Sequence, residues 1–278
     1  MTAPSDPIGL IAGGGRFPVL FAEKARALGL PVVCVGIRGM ADRAALEPIC
    51  HRFFWSRLAA MNRPIRCFKR AGVRRWTMAG KVHKVKMFGP FGWLSLVPDM
   101  RMLRFWYSHR ENNADDTITR GVIAEFAKAG LVCTSALDIC PELLVRRGVL
   151  TNRRPTAREE ADIEYGWHLA REMGRLDIGQ SVAVKDRAVL AVEAVEGTDA
   201  AILRAGTLCP AGGFTVVKVA KPAQDMRFDV PAIGPATIEA MQRAGARILA
   251  IEAGLTIVID EAETVRLANA AGIAIVAR

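Results

Sequence analysis

The stretch "IGLIAGGGRFPVLFAEKARALGLPVVCVGI", residues 8–37, constrains the fold more than any other part of the chain. Ile8 to Ala12 is an apolar run of strand length, Gly13 to Gly15 a turn, and the segment from Phe17, with Pro18 in its first turn, a helix. Pro31 to Gly36 is a second apolar run. Strand, helix and strand in that order make a βαβ unit. Its two strands run parallel, because a parallel pair needs a crossover, and parallel sheets are covered on both faces. The alternation continues with a helix near Arg57 to Arg70 and a strand near Arg75 to Met78. A helix in "NADDTITRGVIAEFAKAG" has acids at its start and Gly130 at its end, and "LVCTSAL" follows as a strand. Residues 1–138 therefore read as an N-terminal Rossmann-like α/β domain with a mainly parallel sheet.

Residues 139–155 are basic and turn-rich and read as a linker. Beyond it, "TAREEADIEYGWHLAREMGRL" is an amphipathic helix, and "GQSVAVKDRAVLAVEAVEGTD" is two strands joined by a turn at Lys185 to Arg187. "FTVVKVA" is a further strand, and the last 44 residues, from Pro235, alternate helix, strand, strand, helix, strand. Residues 156–278 thus form a second, mixed α/β domain, in keeping with a length of 278 residues and a domain size of ~100–200.

Composition narrows the classes. No apolar run approaches the ~20 residues that span a bilayer, and the first residues lack the basic and apolar regions of a secretory leader. The six cysteines form no CxxC pair and read as buried thiols, so the expected location is the cytoplasm. The net charge of +10 is concentrated: residues 51–110 carry fourteen Lys or Arg against a single acid, Asp99. Such a patch suits nucleic acid, an anionic membrane surface or phosphorylated ligands. The aromatic loop "FGPFGWLSLVP", flanked by Lys81, Lys84, Lys86, Arg101 and Arg104, suits peripheral contact with anionic lipid, though its rings would equally fill a core. It lacks the strand pattern of a nucleic-acid reader.

Familiar catalytic signatures are missing from the sequence. The glycine turn can cradle a phosphate at the helix end, but Pro18 stands where the dinucleotide fingerprint needs its third glycine, and no acid follows the second strand to hold a ribose. The four histidines have no zinc spacing, and there is neither a GxSxG elbow nor a GxxxxGK[ST] loop.

Carboxylates are the stronger lead. In "KVAKPAQDMRFDVPAIGP", Asp225, Arg227 and Asp229 alternate with Met226, Phe228 and Val230 between prolines, which reads as an extended segment with its charges on one face. Strand spacing would separate Asp225 from Asp229 by ~13 Å, too far for one metal ion. Further oxygen ligands are offered by Glu193, Glu196 and Asp199 in "VLAVEAVEGTD", and Glu193 stands out because it interrupts an apolar strand. An all-oxygen set points to Mg²⁺ or Mn²⁺. The competing reading is structural ion pairing with Arg227, Lys185 or Lys221, and Arg227 and Lys221 would also suit a phosphate.

Taken in order, "LIAGGGRFP", "DDTITRGVIAEF", "DIGQSVAVKDRAVLAVEAVEGTDAAI" and "KPAQDMRFDVPAIGPATI" resemble the signature blocks of the LpxI family, the UDP-2,3-diacylglucosamine diphosphatases of lipid A synthesis. The resemblance covers nearly the whole chain. It implies a two-domain hydrolase that uses Mg²⁺ to split the pyrophosphate of a lipid-linked nucleotide sugar into UMP and lipid X. It also implies Asp229 as the principal catalytic acid with Asp225 beside it, and Glu193, Glu196 and Asp199 as supporting metal ligands. Gly13, Gly14, Gly15, Lys185, Lys221, Gln224 and Arg227 are the substrate-binding candidates in the same blocks. The enzyme would be cytoplasmic, meeting the inner face of the inner membrane peripherally, and a homodimer is compatible with it. The competing function is a non-catalytic basic module that holds nucleic acid or anionic lipid.

Overall fold

The computed structural model describes residues 6–81, 97–108, 115–222 and 224–278. The chain divides into two compact units, Met1–Pro141 with Asp225–Phe228, and Glu142–Gln224 with Asp229–Arg278.

The first unit is built on strands β1 (Ile8–Ala12), β2 (Val32–Ile37), β3 (Arg52–Ser56), β4 (Arg75–Ala79) and β5 (Val132–Cys133). They form one parallel sheet in the order β3-β2-β1-β4-β5, so the fold class read from the opening βαβ unit holds. Helices α1 (Phe17–Ala27), α2 (Arg43–Leu46), α3 (Asn62–Arg70), α4 (Met100–Ser108) and α5 (Asp115–Lys128) connect them. Trp76 of β4 stacks on Phe126 of α5 with centroids 4.2 Å apart, and Phe68 of α3 joins them in a core with Val33, Val35 and Ile65.

Two local readings change. Helix α3 starts at Asn62, not near Arg57, because its first N–H is capped from far along the chain: Asn62 N donates to Asp99 Oδ2 at 2.6 Å. The strand read in "LVCTSAL" is only Val132–Cys133, since Ser135 Oγ accepts from Leu137 N and turns the chain. Strand β3 and helix α4 were not anticipated. Residues 88–96 of the aromatic loop, with Phe88, Phe91 and Trp93, lie outside the described residues.

The second unit holds β6 (Gly148–Val149), β7 (Ser181–Lys185), β8 (Ala188–Val192), β9 (Thr215–Lys218), β10 (Ala232–Ile233), β11 (Ile248–Ile251), β12 (Ile257–Val258) and β13 (Ala274–Ala277). Its main sheet has the order β6-β13-β11-β9-β7-β8, parallel across β9, β11 and β13 and antiparallel at both edges, while β10 and β12 form a separate parallel pair. Within residues 139–155, Gly148 and Val149 thus pair with β13.

Helix α6 (Ala157–Arg175) covers one face of this sheet, opened by a capping box between Thr156 and Glu159. A Cβ on Gly166 would stand 2.7 Å from Val217, so glycine is what lets α6 approach β9. Helices α7 (Thr198–Leu208), α8 (Pro235–Ala244) and α9 (Glu261–Ala270) belong to the other side, where Ile202, Met241, Leu249 and Ile275 share a core. The turn between β7 and β8 holds Asp186 and Arg187 at positive φ, and buried Asp162 of α6 accepts from both of their N–H groups, at 3.0 and 2.7 Å.

Candidate functional site

The signature blocks of the second unit meet at one end of its sheet. Ser181 opens β7 opposite Lys218, which closes β9, and Ile251, which closes β11, is the other partner of Lys218. The carboxyl ends of parallel strands are where open α/β sheets bind ligands. Here "DIGQS", "VEAVEGTD" and "KVAKPAQ" pack together. A Cβ on Gly179 would lie 2.1 Å from the carbonyl oxygen of Glu193, so the bare backbone there is required for the two segments to touch. Glu193 N donates to Ser181 O at 2.9 Å, and Val219 N to Gln180 O at 3.0 Å. Lys221 N donates to Gln224 Oε1 at 2.7 Å while its ammonium pairs with Asp177.

A buried polar chain runs through the centre of this end. Lys218 is 5% exposed, and its Nζ donates to Thr198 Oγ1 at 2.9 Å and to Ala232 O at 3.0 Å. Thr198 in turn donates to Glu193 Oε1 at 3.0 Å. Asp199, next to Thr198 in the first turn of α7, accepts from Thr237 Oγ1 in the first turn of α8 at 3.0 Å. Two helix N-termini are thereby tied together, and both carry partial positive charge. Glu193 Oε2, Gln180 Oε1 and Gln224 Nε2 are buried without a hydrogen-bond partner among the described residues. An unsatisfied buried polar atom costs ~1–3 kcal/mol, so each of these three calls for a physical explanation.

The sequence candidates fall into separate positions. Glu196 pairs with Arg204 at 2.7 Å; burial pushes its carboxyl up, but Arg204 and the backbone N–H donors outweigh that and hold it below the ordinary value. Lys185 stands at the far end of β7, where its ammonium donates to the carbonyl of Gly212 at 2.6 Å, so it does not join Lys218 and Glu193. Asp229 is half-buried, two residues before Pro231, whose carbonyl accepts from Ile257 N at 2.8 Å.

Asp225 and Arg227 belong to the first unit. The extended reading of this stretch is overturned: Asp225–Phe228 is a turn, closed by Phe228 N on Asp225 O at 3.1 Å. Asp225 Oδ1 accepts from Arg227 N and Nε at 3.1 and 2.9 Å, and Oδ2 accepts from Arg227 Nη2 at 2.6 Å. A short aspartate that captures the backbone two residues on prefers a turn to a strand. Ser135 donates to Met226 O at 2.9 Å, and Phe228 packs against the first unit's core. The Arg227 guanidinium, followed by burial working the other way, holds the Asp225 carboxyl below the ordinary value. Burial pushes the neighbouring Cys133 thiol up to about 11, against the pull of Arg227.

The glycine turn also has its own role. Gly13 N donates to Ala79 O at 2.8 Å, and Gly14 exchanges bonds with Lys81 at 2.9 and 2.8 Å. A Cβ on Gly13 would meet Lys81 O at 2.8 Å, and one on Gly80 would meet Gly14 O at 2.6 Å. The N–H groups of Gly13 and Gly14 are therefore engaged within the protein, and an anion at this turn would meet Gly15 and the first turn of α1.

Family models match both halves of the chain: the LpxI N-terminal domain over residues 7–143 and the LpxI C-terminal domain over residues 146–276. The chain belongs to the LpxI family. A relative from Caulobacter vibrioides, UDP-2,3-diacylglucosamine pyrophosphatase LpxI, is 33% identical over 277 residues, covering 96% of this chain and 95% of the relative.

Sequence reasoning missed Lys218, Thr198, Thr237 and Gln180 in this LpxI chain. Lys218 could have been found by the rule that singled out Glu193, because it too places a charge inside an apolar strand, "FTVVKVA". Among the described residues no three His, Cys, Asp or Glu side chains gather as a metal cage. The carboxylates read from the sequence as one metal set are therefore not gathered there, and Glu193 Oε2 is the carboxylate oxygen that has no hydrogen-bond partner among the described residues.

Proposed function

We propose that this chain hydrolyses the pyrophosphate bond of UDP-2,3-diacylglucosamine in lipid A synthesis, releasing UMP and lipid X. The observation that carries the reading is the relative of that name, aligned along 96% of the chain, with both family domains in order. Asp229 is the principal acid, with Asp225 as its helper through the turn that Arg227 braces. Asp229 and Glu193 would hold Mg²⁺, or Mn²⁺ in its place, through their carboxylate oxygens together with the substrate's diphosphate. When bound, the ion neutralises phosphate charge and polarises the P–O bonds. The helix N-termini of α7 and α8 face the anionic substrate with backbone N–H groups, while Lys218 and Thr198 hold Glu193 in place. Lys221 and Gln224 make the remaining polar contacts. The reading includes a peripheral, cytoplasmic encounter with the bilayer that holds the two-chain substrate.

The test is turnover of UDP-2,3-diacylglucosamine by the purified chain with Mg²⁺ and with EDTA. Turnover that needs Mg²⁺ and falls by at least ~10³ in Asp229→Asn supports the reading; none in either condition ends it. In ¹⁸O-labelled water the label goes into lipid X for attack at the sugar-linked phosphorus, and label in UMP reverses that assignment.

A further inference from the structure

Helix α4 is apolar on two sides. Met102 and Phe105 face the first unit's core beside Ile65 and Phe68. Met100, Leu103 and Tyr107, spaced i, i+3, i+7 on the opposite face, are 66%, 45% and 71% exposed. Helix α3 repeats that spacing in cations: Arg63, Arg66 and Arg70 are exposed, as are Lys69, Arg74 and Arg75 nearby. The two helices are joined at their N-terminal ends, where Asp99 Oδ2 accepts from Asn62 N at 2.6 Å and Arg101 Nε donates to Asn62 Oδ1 at 3.1 Å. No acidic residue occurs in the sequence between Glu47 and Asp99, so α3 itself carries cations and no acid.

We infer that α3 and α4 form a docking face for an anionic lipid bilayer, with Met100, Leu103 and Tyr107 entering the acyl boundary and Arg63, Arg66 and Arg70 meeting headgroup phosphates. An exposed apolar stripe alone could serve many partners; its joining to a one-signed cationic stripe selects a surface that is apolar beneath a negative layer. Nucleic acid would engage the arginines and leave Met100 and Leu103 without purpose. The argument uses exposed residues only and does not depend on the hydrolase reading.

The experiment is flotation of the full chain with vesicles of phosphatidylcholine, alone or with about a third phosphatidylglycerol. Binding is expected to the anionic vesicles and to weaken with salt. Replacing Arg63, Arg66 and Arg70 by Gln lowers it on the order of a hundredfold. Leu103→Gln with Tyr107→Gln lowers it at least about tenfold with every arginine retained. Equal binding to neutral vesicles overturns the inference, as does wild-type vesicle binding by the Leu103 and Tyr107 variant or displacement of vesicles by duplex DNA that this variant binds unchanged. Turnover of detergent-dispersed substrate stays within about twofold in all these variants, so loss of docking and failure of the hydrolase reading give different results.

Discussion

The ammonium of Lys218 donates to the carbonyl oxygen of Ala232 at 3.0 Å. A buried charge at the end of β9 thereby fixes the chain three residues past Asp229, and the same ammonium orients Thr198 and, through it, Glu193. Lys218→Met keeps much of the side-chain volume and removes every donor. Chemical unfolding should show a loss of roughly 2–4 kcal/mol, because the Ala232 carbonyl and the Thr198 hydroxyl lose their buried donor. At temperatures where the variant stays folded, kcat should fall more than KM changes, since Asp229 is loosened while the outer contacts remain.

Much of the framework was legible because local signals agreed with the tertiary structure. The β1–α1–β2 opening, helix α6 and the β7–β8 hairpin follow from apolar periodicity and a polar turn. The start of α3 was not legible, because its cap is Asp99, 37 residues along the chain. The Asp225–Phe228 turn was misread for another reason. Period-two alternation is equally what a turn shows when one aspartate engages the N–H and guanidinium of Arg227. At the candidate site, Glu193 stood out as a charge in an apolar strand, whereas Gln180 and Gln224 show themselves only through buried amide atoms that have no partner among the described residues.

Glycines that look alike in the sequence should respond differently. Gly80 has φ +97° and a Cβ there would meet Gly14 O at 2.6 Å, so Gly80→Ala combines backbone strain with a clash against main chain. Gly15 has φ +89° but open space around it, leaving strain alone. Thermal unfolding should place Gly80→Ala at more than about 3 kcal/mol of destabilisation and Gly15→Ala near 1 kcal/mol. If Gly15 N–H meets the substrate, Gly15→Ala also raises KM.

Asp225 sets a pH dependence whose sign follows from Arg227. The folded carboxyl titrates below its unfolded value of ~3.9, so the folded state binds the proton less readily. The stability this contributes is complete above the unfolded value and disappears as pH falls through the lower folded one. Urea midpoints of the wild type and Asp225→Asn should therefore differ by a constant amount from about pH 8 to 5 and converge below about pH 4. A difference that grows on acidification would show that Arg227 does not favour the charged carboxylate.

Glu193 separates structural from metal-binding use of the same side chain. Thr198 donates to Oε1 at 3.0 Å, and Oε2 is buried without a partner among the described residues. Glu193→Gln preserves the acceptor for Thr198 and puts an amide where Oε2 stood. A purely structural Glu193 would tolerate the change or gain stability, because an unsatisfied carboxylate oxygen is removed. If Oε2 is completed by Mg²⁺ arriving with the diphosphate, unfolding free energy should shift by less than about 1 kcal/mol. The Mg²⁺ concentration for half-maximal turnover should meanwhile rise at least about tenfold, with Mg²⁺ titration followed at fixed substrate as the measurement.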